Sequence, residues 1–262
     1  MKLSVITINY NNHDGLRKTI ESVVNQTCRD FEYIIIDGGS TDGSVDIIKQ
    51  YADKIDYWVS EPDKGIYNAM NKGIAKASGE YLNFMNSGDC FYENTVVEKV
   101  LPHLCSADFY VGNIIIDNGT NYIKNNIISP NGGINILRKI IFSGIPHQSS
   151  FIKKETFDKY GYYREDLKIV SDFDHFFKSI LLNNASIEPI KITISIYDGT
   201  GISSDYEAAQ IERLLCLDRY PFQKELYLFY RDNYEIMTAI KSNKIGYFLM
   251  RVYFFFYRHF AK

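Results

Sequence analysis

A short acidic turn follows an apolar segment at residues 80–89, which read Glu-Tyr-Leu-Asn-Phe-Met-Asn-Ser-Gly-Asp. The pattern predicts a strand that ends near Met85 and puts the carboxylate of Asp89 at its carboxyl end. Open α/β sheets bind their ligands at that edge. A carboxylate there could hold Mn²⁺ or Mg²⁺ against a diphosphate, because both ions prefer hard oxygen ligands. The plainer alternative is an aspartate that only ends a turn.

Polar side chains also close the first two predicted strands. The first strand ends in the run from Thr7 through Asn9 to Tyr10, and the second ends in Asp37. Because neighbouring parallel strands share an edge, Tyr10 could stack on a nucleobase there while Asp37 accepts the imide N–H of uracil. A cytosine ring presents no such N–H. Alternatively, Asp37 only forms the turn before a Gly-Gly pair.

A charged loop follows the third predicted strand, with the sequence Glu-Pro-Asp-Lys-Gly at residues 61–65. A helix predicted to open at Gly65 would direct backbone N–H groups towards an anion. Lys64 could then add positive charge beside a diphosphate. The alternative is a surface turn that carries a solvated lysine.

A second acidic cluster, Asp172 and Asp174, stands at the start of a predicted helix. Side chains two residues apart point about 200° from one another on a helix, so only one of them can face a given site. Asp172 belongs to the entering turn and is the leading candidate for a catalytic base. Stabilisation by the helix dipole is the alternative for either carboxylate. His147 begins another predicted strand and could ligate a metal or contact an acceptor, although a lone histidine is more often structural.

The composition is that of a globular protein and excludes several classes. The chain has 262 residues, 45% hydrophobic and 23% charged, which allows one large domain or a domain with an appendage. A net charge of −3 gives no reason to expect nucleic acid as a partner. Neither a Gly-x-Gly-x-x-Gly motif after the first strand nor a P-loop sequence is present. The four cysteines form no Cys-x-x-Cys pair and the N-terminal segment lacks signal-peptide architecture, so we expect a reduced, cytoplasmic protein.

Strands and helices are predicted to alternate four times within about the first 90 residues, a pattern typical of a parallel, doubly wound α/β sheet. The predicted strands of this half are 3–9, 31–37, 57–60 and 81–85, and its helices include 45–52 and 65–77. The less regular second half is predicted to contain strands at 109–116, 147–153 and 187–197, a helix at 171–182 and a mobile Asn/Gly-rich loop at 117–133. From residue 204 onward the chain is predicted to be helical.

The C-terminal segment is basic and aromatic. From residue 236 onward it contains five Lys or Arg residues and no Asp or Glu. Lys244, Arg251 and Arg258 recur every seven residues and would form one stripe on a helix. Such a stripe suits an anionic membrane interface, so we expect residues 241–262 to bind the inner face of the plasma membrane, which flotation with liposomes would test. The alternative is a helix packed on the domain with its stripe in solvent.

Taken together, these segments resemble the inverting, nucleotide-diphospho-sugar glycosyltransferases of family 2, which have the GT-A fold and include enzymes of bacterial surface-polysaccharide synthesis. Five stretches carry the resemblance, in the order 4–11, 19–27, 32–44, 60–74 and 86–89. It implies a Rossmann-like, mostly parallel sheet flanked by helices in a GT-A catalytic domain at 1–203. The nucleotide-sugar-binding half would be 1–105, the acceptor-binding half 106–203, and a helical C-terminal extension would follow at 204–262.

The resemblance also assigns roles to individual residues. Those implied for the donor are Tyr10 and Asp37 at the uracil, Thr7 through backbone contacts, Asn9 as a further donor-binding residue, and Asp63 and Lys64 in the donor-binding loop. Those implied for chemistry are Asp89 as a ligand of Mn²⁺ or Mg²⁺, His147 at the entry to the acceptor half, and Asp172 as the base. Two positions depart from the family pattern: Gly88 stands where many members carry a second Asp, and Ser171 stands where many carry Glu.

The implied reaction moves a sugar from a UDP-sugar to a hydroxyl of a glycan or lipid-linked acceptor, with inversion. Thymidine carries the same imide as uridine and stays open as the donor base. A non-catalytic protein of the same fold, which binds a sugar nucleotide or acts as a scaffold, is the second hypothesis and draws on Gly88. A sugar-1-phosphate nucleotidyltransferase is the third, and it would need a Gly-rich basic loop where residues 9–12 read Asn-Tyr-Asn-Asn.

Overall fold

The computed structural model describes residues 1–125, 140, 144–201 and 205–232. In this part of the chain the strands are β1 (Leu3–Asn9), β2 (Glu32–Asp37), β3 (Tyr57–Ser60), β4 (Tyr81–Phe84), β5 (Cys90–Phe91), β6 (Phe109–Asp117), β7 (Tyr122–Asn125), β8 (Ser150–Lys153) and β9 (Ile187–Asp198). The α-helices are α1 (His13–Val24), α2 (Ser44–Gln50), α3 (Ile66–Lys76), α4 (Val96–Val100), α5 (Glu155–Tyr160), α6 (Ser171–Phe176), α7 (Tyr206–Leu217) and α8 (Pro221–Asp232).

The first half of the sheet is parallel, with the strand order β3-β2-β1-β4. β1, β2 and β4 are apolar runs buried almost throughout, as expected of parallel strands that helices cover on both faces. Asn9 lies opposite Asp37, and Asp37 lies opposite Ser60, so β1, β2 and β3 end at one edge. The parallel order predicted for this half is confirmed.

Two apolar clusters cover the two faces of the sheet. Alternate residues of β1 belong to different clusters: Val5 is in the same cluster as Leu16 of α1, and Ile6 is in the same cluster as Met70 of α3. The buried side of α1 consists of residues that recur at helical spacing, namely Leu16, Thr19, Ile20, Val23 and Val24. Burial on both faces fixes the register of β1, because a slip by one residue would exchange the two sets of side chains.

The second half of the sheet is mixed. β8 is antiparallel to both β4 and β6, whereas β6 and β9 run parallel. β9 also pairs antiparallel with β5, with Cys90 opposite Ile196. This pairing brings the end of β9 beside the acidic turn that precedes β5.

The helix predicted at 171–182 is confirmed, and it changes from an α-helix to a π-helix at Phe177. Two other local predictions for the second half were wrong in part. The strand predicted from His147 begins only at Ser150, because His147–Ser149 forms a 3₁₀ turn in which the carbonyl of Pro146 accepts hydrogen bonds from the Ser149 N–H and the Ser150 hydroxyl. The predicted loop at 117–133 contains β7, which pairs with β6.

His175 of α6 belongs to the core. Its ring stacks on Phe157 with 4.3 Å between the ring centroids. Burial lowers the pKa of His175 to about 3, so the ring is neutral at physiological pH. It is therefore a packing residue, in contrast to His147.

The chain divides into two compact units, Met1–Arg213 and Leu214–Lys262. In the second unit the described residues form the end of α7 and all of α8, where Tyr227 is buried. No helix in the described ranges is long and apolar enough to cross a membrane. The domain boundary after residue 203 stays a prediction, and the tail at 241–262 lies outside the described residues.

Candidate active site

Two cavities lie beside one another at the carboxyl edge of the parallel strands. The larger, about 780 Å³, is lined by residues that include Asn9, Tyr10, Asp63, Asp89, His147 and Asp198. The smaller, about 340 Å³, is lined by residues that include Tyr67, Asn86, His147, Lys168, Asp172 and Arg213. Asn86 and His147 belong to both walls, so a ligand in one cavity would lie next to a ligand in the other.

Asp172 is held in the smaller cavity by contacts on both oxygens. Its Oδ2 lies 3.1 Å from Nδ1 of His147. Its Oδ1 accepts the N–H of Phe173 at 2.8 Å and lies 3.3 Å from the hydroxyl of Tyr67. Burial, reinforced by the charge of Asp172, raises the pKa of Tyr67 well above its usual range, so that hydroxyl stays protonated. Tyr67 is consequently a hydrogen-bond donor beside the Asp172 carboxylate.

His147 links the two cavities through both of its ring nitrogens. Nδ1 contacts Asp172, and Nε2 lies 3.1 Å from the amide nitrogen of Asn86. This network fits the tautomer with hydrogen on Nδ1, which donates to the carboxylate while Nε2 accepts from the amide. Neither nitrogen is then left for a metal, so the expected metal-ligand role of His147 does not fit its contacts. His147 lines both cavities, and its role at the entry to the acceptor half stays a prediction.

Asp174 points away from both cavities, which separates the two carboxylates that the sequence left as alternatives. It is buried and pairs with Lys178 at 2.5 Å and with Arg164 at 4.0 Å. Ser171 is also buried, and its hydroxyl oxygen accepts the N–H of Arg164. Of the acidic residues at the start of α6, Asp172 alone lines a cavity.

Glu212 of α7 holds the loop that leads into α6. Its carboxylate accepts the backbone N–H groups of Lys168 and Ile169, each at 2.8 Å, and of Val170 at 3.2 Å. The backbone of residues 168–170, just before Asp172, is thereby held by a side chain from a helix that comes later in the chain. The sequence did not point to Glu212, because a glutamate on a predicted helix is normally solvent-exposed and its spacing does not indicate which residues it contacts.

We expect Glu212→Gln to lower kcat about tenfold while leaving the donor affinity unchanged. The amide offers one acceptor oxygen in place of two, and a buried N–H without a partner costs about 1–3 kcal/mol. The loop and Asp172 should then move, whereas Glu212 does not line the larger cavity, where the donor is expected. Initial-rate kinetics and a donor-binding titration would measure both effects. Glu207→Gln, an exposed change on the same helix, is the control, and an equal loss in both variants would contradict the prediction.

A pair of carboxylates, Asp89 and Asp198, lines the larger cavity. Asp89 is 4% exposed, and its Oδ1 accepts the backbone N–H of Asp198 at 2.9 Å. Burial raises the pKa of Asp89 to about 6, although the hydrogen bond from Asp198 partly offsets it. Oδ1 of Asp198 accepts from the N–H and hydroxyl of Thr200 at 2.9 and 2.6 Å.

Asp198 fills the space beside Gly88. A Cβ atom added to Gly88 would lie 2.9 Å from Oδ2 of Asp198, and Gly88 has a φ of +105°. A side chain at position 88 would therefore be strained and would meet the Asp198 carboxylate. Asp198 was missed by sequence reasoning. The available signal was an aspartate that ends an apolar strand before a glycine, as Asp37 does.

The oxygen donors of Asp89 and Asp198 fit a hard divalent cation. Mg²⁺ in nucleotide sites is commonly bound by one or two carboxylates together with substrate phosphates. Among the described residues, no group of three or more His, Cys, Asp or Glu side chains could enclose a metal by itself. The donor set suits Mn²⁺ or Mg²⁺ that is shared with a diphosphate.

The predicted donor residues divide into two groups. Asn9, Tyr10 and Asp63 line the larger cavity, whereas Thr7, Asp37 and Lys64 do not. Tyr10 is 66% exposed, so its ring is open for stacking. Thr7 is buried and donates to the carbonyl of Met85 at 2.8 Å, and Lys64 is exposed. Thr7 is therefore a buried structural residue and does not line the cavity.

Asp37 is enclosed by hydrogen-bond donors. It accepts from the side chains of Asn9 at 2.8 Å, Ser40 at 2.6 Å and Ser60 at 2.6 Å. It also accepts the N–H groups of Gly39 and Ser40 at 3.2 and 2.9 Å. Burial acts to raise the pKa of Asp37, but the bonds from Ser40, Ser60 and Asn9 outweigh it and lower the pKa. Asp37 holds the glycine turn that forms the cavity wall, and its predicted direct contact with uracil does not fit this placement.

Comparison with known proteins agrees with this architecture. A model of glycosyl transferase family 2 matches residues 4–161. The chain belongs to glycosyl transferase family 2. The glycosyltransferase Rv1514c of Mycobacterium tuberculosis is 34% identical to this family 2 member over 221 residues, which cover 80% of this chain and 79% of that protein. The prediction of a glycosyltransferase is therefore confirmed.

Two solved structures share the fold. TarS 1–349 of S. aureus in complex with UDP-GlcNAc gives a TM-score of 0.64 at 19% identity, over 83% of this chain and 66% of that one. The mannosyltransferase PcManGT of Pyrobaculum calidifontis, in complex with GDP-Man and Mn²⁺, gives 0.59 at 18% identity, over 82% and 61%. These likenesses confirm the predicted GT-A fold of this glycosyltransferase.

Proposed function

We propose that this glycosyltransferase moves a sugar from a UDP-sugar to a hydroxyl of a glycan or lipid-linked acceptor, with inversion at the anomeric carbon. The observation that carries the proposal is the position of Asp172. Its carboxylate lines a cavity that shares Asn86 and His147 with the cavity of Asp89 and Asp198. A donor whose diphosphate lay near Asp89 and whose sugar lay near His147 would present its anomeric carbon to an acceptor beside Asp172.

The lining of the larger cavity suits a nucleoside diphosphate. Tyr10 offers an exposed ring for the base, and Asp89 and Asp198 offer oxygen ligands in the same cavity. We propose that the two carboxylates hold Mn²⁺ or Mg²⁺, which would supply positive charge beside the leaving diphosphate. The TarS fragment binds UDP-GlcNAc and PcManGT binds GDP-Man with Mn²⁺, which supports a donor of this class.

Asp172 would act as a general base in a single displacement. As the acceptor oxygen forms its bond to the anomeric carbon, the bond from that carbon to the diphosphate oxygen breaks, and UDP leaves with the electron pair. Asp172 takes the hydroxyl proton, a role worth typically 10²–10⁴-fold in rate. The hydrogen bond from His147 fixes the carboxylate for this transfer, so the chain contributes chiefly by positioning its groups.

The smaller cavity would receive the acceptor. Its wall combines apolar side chains such as Ile114 and Ile145 with the basic Lys168 and Arg213. We propose a cell-surface glycan or its lipid-linked precursor as this acceptor. Peripheral binding of the inner membrane face by residues 241–262 would bring the enzyme to such a substrate, and this part of the proposal rests on the sequence of that segment.

Thermal unfolding with UDP, TDP, GDP and CDP, each with Mn²⁺ and with EDTA, tests the donor. A ligand at 100 times its Kd adds about 2.7 kcal/mol of stability, which a melting curve resolves. We expect the largest rise in Tm with UDP and Mn²⁺, and a much smaller one with UDP and EDTA. No rise with any nucleotide would contradict the proposal and favour a scaffold. Release of UDP from a UDP-sugar in the presence of an acceptor would exclude the non-catalytic alternative.

A further inference from the structure

We propose that Asp63, and not Asp37, reads the nucleobase: its free carboxylate oxygen accepts the imide N–H of a uracil ring stacked on Tyr10. This inference rests on the proposed UDP-sugar donor. It assigns base selectivity to a loop between β3 and α3 that no sequence motif marks as the selective element.

The carboxylate of Asp63 lies directly over Gly38. A Cβ atom added to Gly38 would lie 2.5 Å from Oδ2 of Asp63 and 3.2 Å from Cδ2 of Tyr10. The oxygen and the aromatic ring therefore converge on one point above the glycine turn that ends β2. Only the missing side chain of Gly38 makes room for the carboxylate there.

One oxygen of Asp63 is anchored and the other is available. Oδ1 accepts the N–H of Gly65 at 2.8 Å, two residues along the chain, which fixes the side chain as part of its own turn. Among the described residues, Oδ2 has no hydrogen-bond partner. Because Asp63 lines the larger cavity and is half-buried, this oxygen can meet a ligand that enters beside Tyr10.

Asp37 cannot make the same contact without losing an existing one. A carboxylate accepts about four hydrogen bonds, and Asp37 already accepts five from Asn9, Gly39, Ser40 and Ser60. It has no exposed surface. Its function is to fix the turn at Gly38, on which the Asp63 carboxylate rests.

The chemistry of the two pyrimidines makes the assignment measurable. Uracil presents an N–H at N3, which a carboxylate accepts, whereas cytosine presents a lone pair there, which a carboxylate repels. A hydrogen bond to a charged group contributes about 1.5–3 kcal/mol, or about 10- to 100-fold in affinity. Methylation of N3 removes the same N–H from uracil without changing the diphosphate.

The experiment is a titration of UDP, N3-methyl-UDP and CDP, with Mn²⁺, into the wild-type chain and three variants. We expect the wild type to bind UDP at least tenfold more tightly than the other two. In Asp63→Asn the affinities for UDP and CDP should come within about threefold of one another, since an amide can accept from uracil or turn to donate to cytosine. Glu61→Gln removes one charge from the same loop, where Glu61 pairs with Lys72, and should keep the wild-type preference.

Asp37→Asn completes the comparison. We expect it to lower Tm and to keep the preference for UDP over N3-methyl-UDP. The inference would be overturned if Asp63→Asn kept the preference for UDP over CDP, or if Asp37→Asn lost its preference for UDP while Asp63→Asn kept it. Either result would leave the UDP-sugar donor in place. Should Asp37→Asn not fold, the preference for UDP over CDP in Asp63→Asn alone decides. A wild type that binds none of the three nucleotides would overturn the donor proposal and this inference with it.

Discussion

Asp172→Asn should bind the donor as the wild type does and lose sugar transfer, with kcat lower by about 10²–10⁴-fold. The amide has the shape of the carboxylate and can still accept from Nδ1 of His147. Its NH₂ group then faces the N–H of Phe173, so we expect a small fall in Tm while the cavity is kept. It cannot take a proton from an acceptor hydroxyl. The measurements are Tm with UDP and Mn²⁺, and initial rates of UDP release with an acceptor found in a screen of glycosides.

A second variant separates the chemical role of Asp172 from the general effect of removing an acid from α6. Asp174→Asn removes a carboxylate two residues away that is buried against Lys178 and Arg164. Breaking a buried ion pair costs about 3–5 kcal/mol, so this variant should melt earlier yet retain kcat in its folded fraction. Near-native transfer by Asp172→Asn would remove Asp172 as the base and return the question to the residues around the smaller cavity.

The features that the sequence predicted well are local. β1 to β4 are continuous apolar runs with turn residues at their ends, and their spacing indicates both their type and their parallel order. Because these strands are parallel, the residues at their carboxyl ends lie at one edge of the sheet. Asn9, Tyr10 and Asp89 could therefore be grouped from the sequence. Burial of Asp37 could not be predicted in the same way, since it depends on Ser60 of a neighbouring strand.

The features that the sequence did not reveal depend on distant pairings. Asp198 meets Asp89 because β9 pairs with β5, across more than a hundred residues of chain. Glu212 holds residues 168–170 through contacts that no periodicity encodes. The contact between Asp63 and Gly38 requires the loop after β3 to fold over the loop after β2. In each case the residue type was visible, and the partner was decided by tertiary packing.

Asp89→Asn should have opposite effects on stability and on activity. Burial raises the pKa of Asp89 from 3.8 to about 6, so the folded state holds this proton more tightly than the unfolded chain. As pH rises above about 4, the unfolded chain loses the proton first, and the folded state loses stability until about pH 6, beyond which the penalty stays constant. At 1.36 kcal/mol for each pKa unit, the charged Asp89 costs the metal-free protein roughly 3 kcal/mol at neutral pH.

The amide carries no charge and can still accept the N–H of Asp198, so in EDTA at pH 7.5 Asp89→Asn should melt several degrees above the wild type. At pH 4 the two proteins should melt together, because the wild-type carboxyl is then protonated. Asp42→Asn is the control of opposite sign. Burial raises the pKa of Asp42, but hydrogen bonds from Ser44 and His13 outweigh it and lower the pKa, so this variant should melt earlier at neutral pH.

The gain in stability of Asp89→Asn should come with loss of the Mn²⁺-dependent rise in Tm with UDP. It should also come with a fall in kcat of about 10²–10³-fold, comparable to the removal of one electrostatic stabiliser of a transition state. A stabilised variant without transfer would mean that the carboxylate is kept charged for the cation at the expense of the fold, whereas a less stable variant that still responds to Mn²⁺ would place the cation elsewhere.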